Sequence, residues 1–272
     1  MHKVLLTGAS GGVGTRLRTL LKPIYAELVL SDLKAPEDLR ADETFIAADL
    51  SNIAEVEAAV AGIDGIVHLG GYSIEGPWET ILQSNIVGTY NLFEAARRQG
   101  VKRVVFASSN HAVGFYPRHE TIGVGVVPLP DTRYGLSKLF GEGVGSLYAY
   151  KHGIGVLSIR IGNFGDRPLD ERRLAIWLKP DDLVSLIRIG LERPGLVYEV
   201  VYGMSDNKRA WWDNELAYAL GYRPEGQSEP FAEAVLAAQT ALPKDEVGDY
   251  FQGGPFCSQE FDGGFERLRE TE

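Results

Sequence analysis

The feature that most limits what this chain can fold into is an alternation. Six short, nearly continuous apolar runs, "KVLLTG" at 3–8, "ELVLSD" at 27–32, "TFIAADL" at 44–50, "GIVHLGG" at 65–71, "KRVVFASS" at 102–109 and "GVLSIRI" at 155–161, are separated by longer segments. Four of those segments, 13–21, 54–62, 79–98 and about 133–152, read as amphipathic helices. Runs of this kind suit strands covered on both faces, so the pattern predicts parallel strands joined by crossover helices. The handedness of such crossovers leaves a doubly wound α/β sheet as the natural closure. Ligands on such sheets sit beyond the carboxyl ends of the strands, so residues 8–14, 32, 49, 69–73, 108–111 and 161–163 are expected to share one crevice.

The turn after the first run supports that placement. "TGASGGVG" sets Gly8, Gly11 and Gly14 at G-x-x-G-x-x-G spacing, with Gly12 and Val13 inside it, between a strand and a helix. Such a loop lets the backbone approach a pyrophosphate, which then rests on helix N-terminal amides, as in a Rossmann sheet. Asp32 ends the second strand, and Leu33 follows it. A carboxylate there accepts from the adenosine ribose hydroxyls and repels a 2′-phosphate, which points to NAD over NADP. Asp49 and Leu50 would flank the adenine by the same logic, although Asp49 could instead cap the helix at 54–62.

Composition narrows the partners. A 272-residue chain with a net charge of −10 and a pI near 5.1 lacks the positive field that nucleic acid or an anionic membrane requires. One cysteine, Cys257, cannot form an intrachain disulfide, and no Cys/His spacing suits zinc. The apolar start of "MHKVLLTGASGG" is too short for a signal or membrane segment, so a cytoplasmic address is expected. Beyond about residue 164 the pattern breaks. "GDRPLDERR" is loop-like, 181–193 is helical, and Gly, Pro and Glu accumulate after 225. Residues 1–165 are therefore expected to form the nucleotide-binding core, and 166–272 a small lobe over the crevice with no independent core.

"YGLSK" places Tyr134 and Lys138 one helical turn apart. A phenol is a poor base at neutral pH, but a nearby ammonium favours its ionised form, so Tyr134 could take a proton from an alcohol while hydride leaves for a nicotinamide. With the glycine loop, Asp32, "AADL", "HLGG" (Leu69, Gly70, Gly71), "QSNIVGTYNLFEAA" (Asn85), "FASS" (Ser108) and "RIGN" (Ile161), the chain resembles the extended short-chain dehydrogenase/reductase superfamily over about residues 3–165. The resemblance implies NAD as cofactor, Tyr134 as proton acceptor, and Lys138 on the nicotinamide ribose. The third catalytic role falls near the end of strand five, where Ser109 and Asn110 both compete for the family's hydroxyl position.

Four further stretches, "HLGGYSIEGPWETILQSNI", "FASSNHAVGFYP", "VVYGMSDNKRAWWDN" and "FQGGPF", resemble the uronate-oxidising members of that superfamily. That likeness implies a small sugar acid as substrate, oxidised at C1 to an aldarolactone without a metal. By the same likeness Ser73, Ser109, Asn110, His111, Tyr134 and Asn163 bind the sugar, Arg172 clamps its carboxylate, and Phe256 covers it. Plainer readings stand beside these: Arg172 as a solvated loop charge, His111 in a local network, Phe256 in ordinary packing. The "WWDN" at 211–214 precedes a helix and is read as core tryptophans with Asp213 or Asn214 as cap. A nucleotide-sugar epimerase or dehydratase that retains its NAD, and a non-catalytic NAD sensor, are the alternatives. Long helices at 79–98 and 133–152 suggest, by analogy, a homo-oligomer.

Overall fold

In the computed structural model, which describes residues 1–239 and 243–269, each apolar run of the first half becomes a strand. The order is β1 (Lys3–Thr7), α1 (Gly12–Leu21), β2 (Glu27–Asp32), β3 (Thr44–Ala47), α2 (Ile53–Val60), β4 (Gly65–His68), α3 (Trp78–Ile81), a π-helical turn (Leu82–Val87), α4 (Gly88–Gln99), β5 (Arg103–Ser109) and a 3-10 turn (Asn110–Val113). The chain continues through α5 (Arg133–His152), β6 (Gly155–Ile161), β7 (Asn163–Phe164), α6 (Glu171–Ile176), β8 (Trp177–Leu178), α7 (Pro180–Glu192) and β9 (Tyr198–Gly203).

The main sheet is parallel throughout, in the order β3-β2-β1-β4-β5-β6-β9. Winding reverses between β1 and β4, and that reversal opens the crevice. Leu17 and Leu21 of α1 pack with Leu183, Leu186, Ile187 and Leu191 of α7 on one face. Val56 and Val60 of α2, Leu92 and Phe93 of α4, and Val144 and Tyr148 of α5 fill the other. Each such side chain contributes about 1.5–3 kcal/mol by leaving water. Among the described residues no helix is long and apolar enough to cross a membrane.

Two expectations need correction. The sheet has seven strands, and the seventh, β9, comes from beyond residue 165; with α7 it completes the core, so the boundary at 165 cuts through the sheet. The 78–99 helix is also interrupted at its middle by the π-helical turn that carries Asn85. Past β9 come α8 (Glu215–Ala219), α9 (Ala232–Gln239), α10 (Glu246–Tyr250), α11 (Pro255–Ser258) and α12 (Phe265–Arg269). Their core is shared: Trp211 and Trp212 bury against Val113, Ile176 and Tyr202, and Trp212 stacks on Tyr202 at 4.7 Å. Asn214 begins α8 but spends its amide on the backbone of Tyr202, so Asp213 accepts from Glu215 N instead.

Candidate active site

A cavity of about 680 Å³ opens at the carboxyl ends of β1, β2, β4, β5 and β6. Its floor is the glycine loop. Gly8 has φ +68°, and a Cβ there would stand 2.8 Å from Gly70 N; one on Gly14 would stand 2.0 Å from Gly8 O. Glycine at both positions lets α1 start against the cavity, with no acidic side chain in its first turn to oppose an anion. Asp32 lines the same space, its carboxylate accepting from Ser10 N (3.0 Å) and Leu33 N (2.8 Å). An adjoining space of about 170 Å³ is bounded by Asp32, Leu33, Asp49, Leu50 and Gly70. Helix N-terminus, ribose acceptor and base slot together fit NAD. Asp49 turns its carboxylate to Ser51, while the cap of α2 falls to Asn52.

The opposite wall comes from β5 and α5. Thr132 caps α5 through Gly135 N (3.0 Å), and the helix starting there puts Tyr134 and Lys138 on one buried face, Nζ 5.5 Å from the Tyr134 ring centroid. Burial moves both groups, holding Tyr134 up at about 12, against the lowering pull of the nearby Ser109 hydroxyl, and Lys138 down to about 8. Tyr134 is therefore a phenol at neutral pH in the protein alone, with an ammonium beside it below about pH 8. Asn85 does not reach the cavity. Its amide accepts from Tyr72 N (2.7 Å) and donates to Tyr72 O (2.9 Å) and Ser137 Oγ (2.8 Å), tying the loop after β4 to the catalytic helix.

The polar cluster after β5 divides into distinct jobs. Ser108 donates to Glu142 (2.6 Å), which is bound twice by Arg160. Ser109 faces Tyr134 and accepts from His111 N (3.2 Å). The partners fix the orientation of the Asn110 amide: with its nitrogen toward Ile161 O it donates there (3.1 Å), and its oxygen then accepts from Arg172 Nη2 (2.8 Å). His111 is buried, bonded through Nδ1 to Asp131 (2.6 Å), and lies 4.0 Å from the Phe256 ring. Burial and Arg172 lower its pKa against the opposing pull of Asp131, so the ring is neutral.

Ser73, Ser109, Asn110, His111, Tyr134 and Phe256 all line the cavity, as do Val13, Leu69, Gly71, Ser108 and Ile161. Two expected sugar ligands do not. Asn163 is committed to the β7–β8 pair, outside the wall formed by Gly162 and Phe164. Arg172 lies behind Asn110, its Nε on Gln252 O (2.7 Å) and its side chain along a second cavity of about 560 Å³ with Arg118 and Arg209. Burial and the neighbouring Arg118 hold it down at about 10.

Comparison with known proteins agrees with this fold. The sequence model of the NAD dependent epimerase/dehydratase family matches residues 4–179. The chain belongs to that family. Among its relatives, the uronate dehydrogenase of Pseudomonas putida is 46% identical over 94% of this chain and 96% of its own. That of Agrobacterium fabrum is 42% identical over 94% and 97%. A crystal structure of a uronate dehydrogenase variant from Agrobacterium tumefaciens, complexed with NAD, superposes with a TM-score of 0.91 at 42% identity, covering 95% of this chain and 97% of that one.

Within this epimerase/dehydratase-family fold, several site residues leave no mark in the sequence. Glu142 anchors Ser108, Glu75 accepts from Tyr134 N (3.0 Å), and Asp131 holds His111. Glu142 sits one turn beyond Lys138, a spacing that could have suggested a shared helix face. Glu75 and Asp131 lie in irregular segments, where no periodicity speaks.

Proposed function

We propose that this protein oxidises a cyclic hexuronate at C1 to the aldarolactone, with NAD. The observation that carries the reading is the buried Tyr134–Lys138 pair facing Ser109 across one cavity, with a guanidinium, Arg172, within one amide of the sugar space. A guanidinium at that depth suits the attraction of a substrate carboxylate.

Bound NAD supplies the hydride acceptor. The chain does the rest. Tyr134 acts as the phenolate, having first lost its own proton to solvent, and takes the proton of the C1 hydroxyl as the C1 hydrogen leaves as hydride, so the C–O bond becomes the lactone carbonyl with the ring intact. Lys138, charged below about pH 8, favours the phenolate that must be present before the proton is taken. Ser109, which lines the cavity with Tyr134, steadies the reacting oxygen. Asn110 is less suited to that third role because both ends of its amide are engaged, and it acts by aiming Arg172. Asn163 meets the sugar only if the β7 segment shifts inward on binding.

The deciding experiment is absorbance at the NADH band after mixing protein and NAD with glucuronate, galacturonate or glucose. A rise with the two acids and none with glucose is expected; no rise with either acid overturns the reading. We further infer a homo-oligomer paired through α4 and α5, on the strength of the exposed Tyr90, Leu136, Phe140, Leu147 and Tyr150 on those helices. Sedimentation of the wild type against Leu147→Glu tests it. A cytoplasmic location accords with Cys257 as a buried free thiol.

A further inference from the structure

One tight contact in the site has no part in the chemistry above. Asp131 has no exposed side-chain surface, and its Oδ2 lies 2.6 Å from His111 Nδ1. Its Oδ1 accepts from the Thr132 hydroxyl (2.9 Å), its N–H donates to His111 O (3.2 Å), and Cys257 Sγ lies 3.8 Å from Oδ2. Two glycines make room for it: a Cβ on Gly114 or Gly253 would stand 1.9 or 2.0 Å from Oδ2. The carboxylate thus joins the turn after β5, the start of α5 and the segment that carries Phe256.

A carboxylate only accepts, so the proton of the neutral His111 ring sits on Nδ1 and Nε2 is left bare. His111 lines the cavity and Asp131 does not, which turns the ring edge opposite Nδ1 toward the substrate space. A bare imidazole nitrogen accepts from a hydroxyl and offers nothing to a group that only accepts. Phe256, 4.0 Å away, keeps that edge partly dry, and a hydrogen bond made there is less contested by water. We propose that Asp131 is a positioning residue that fixes His111 as a hydrogen-bond acceptor for one hydroxyl of the sugar. The proposal rests on the uronate reading for its substrate, whereas the protonation pattern it requires belongs to the protein alone.

Two measurements test it, and they separate its failure from that of the uronate reading. In wild-type protein without substrate, long-range ¹H–¹⁵N correlation of the His111 ring is expected to show the proton on Nδ1 and an unprotonated Nε2; a proton on Nε2 overturns the proposal whatever the enzyme oxidises. In steady-state kinetics with glucuronate, Asp131→Ala is expected to raise the sugar KM about tenfold, the equivalent of one lost hydrogen bond. Its kcat and its KM for NAD should stay within about threefold. Asp131→Asn, whose amide oxygen can still accept from Nδ1, should hold the sugar KM within about threefold of wild type. In a His111→Ala background, Asp131→Ala should add nothing. An equal effect in that background, or a parallel loss of kcat and NAD affinity, would mean that Asp131 supports the fold at large and would overturn the proposal. Should Asp131→Ala fail to fold, Asp131→Asn and the ring measurement still decide: an Asn variant with a tenfold higher sugar KM and an unchanged Nδ1 proton refutes it.

Discussion

Glu142 and Arg160 form an ion pair directly behind Ser108, and removing one partner should be far more damaging than removing both. The side chains are 7% and 4% exposed, two bonds of 2.9 Å join them, and Ser108 adds a third to the same carboxylate at 2.6 Å. In Glu142→Leu the guanidinium would keep only Val124 O at 3.2 Å and the Tyr202 ring at 5.8 Å. Stranding a buried charge in this way costs about 3–5 kcal/mol. At roughly 2–4 °C per kcal/mol for a chain approaching this size, the thermal midpoint should fall by about 6–20 °C. Replacing both partners, as Glu142→Leu with Arg160→Met, removes the desolvated charges together and should recover most of that loss. Circular-dichroism melts and urea titrations of wild type, single and double variants at pH 7.5 measure it. A single variant within about 1 kcal/mol of wild type, or a double variant no more stable than the single, would refute the argument.

Three further outcomes are expected. Tyr134→Phe should lower kcat by about 10²–10⁴-fold, the usual worth of a general base, while NAD still binds by fluorescence titration. Asp32→Ala should weaken NAD by about one charge-assisted hydrogen bond, roughly 10- to 150-fold, and make NADP usable, seen as a reversal of the ratio of kcat/KM values. His68, buried with its pKa lowered from 6.5 to about 3, should make the fold acid-sensitive. Its folded value lies below the unfolded one, so the stability it contributes is complete above about pH 6.5 and is lost as pH falls toward 3. The slope is about 1.4 kcal/mol per pH unit, and His68→Asn should flatten urea-derived stability between pH 6 and 4.

How much of this was legible in sequence follows from how local each signal is. Strands covered on both faces announce themselves as apolar runs, which is why β1, β2, β5 and β6 fall within a residue of expectation. β3 and β4 end early, at Ala47 and His68, because the residues after them, through Asp49 and Gly71, leave the sheet to line the crevice. β9 was hidden because it is an edge strand whose first three residues, Tyr198, Glu199 and Val200, are only partly buried and carry a charge among them. The glycine loop, Asp32, Tyr134 and Lys138 were readable because each acts within one turn of a strand end or helix start. The rest of the site depends on partners far apart in sequence. Arg172 stands behind the cavity wall and touches only Asn110 of its lining, and Asp131 matters only because His111, twenty residues earlier, folds back against it. No spacing rule encodes those meetings, since they depend on where the loops beyond β5 and β6 close over the sheet. The same closure accounts for the division of labour at the carboxyl end of β5. Ser108 points to Glu142, and Ser109 to Tyr134. Glu142 and Tyr134 lie two turns apart on α5, so two neighbouring hydroxyls can serve the core and the site respectively without competing.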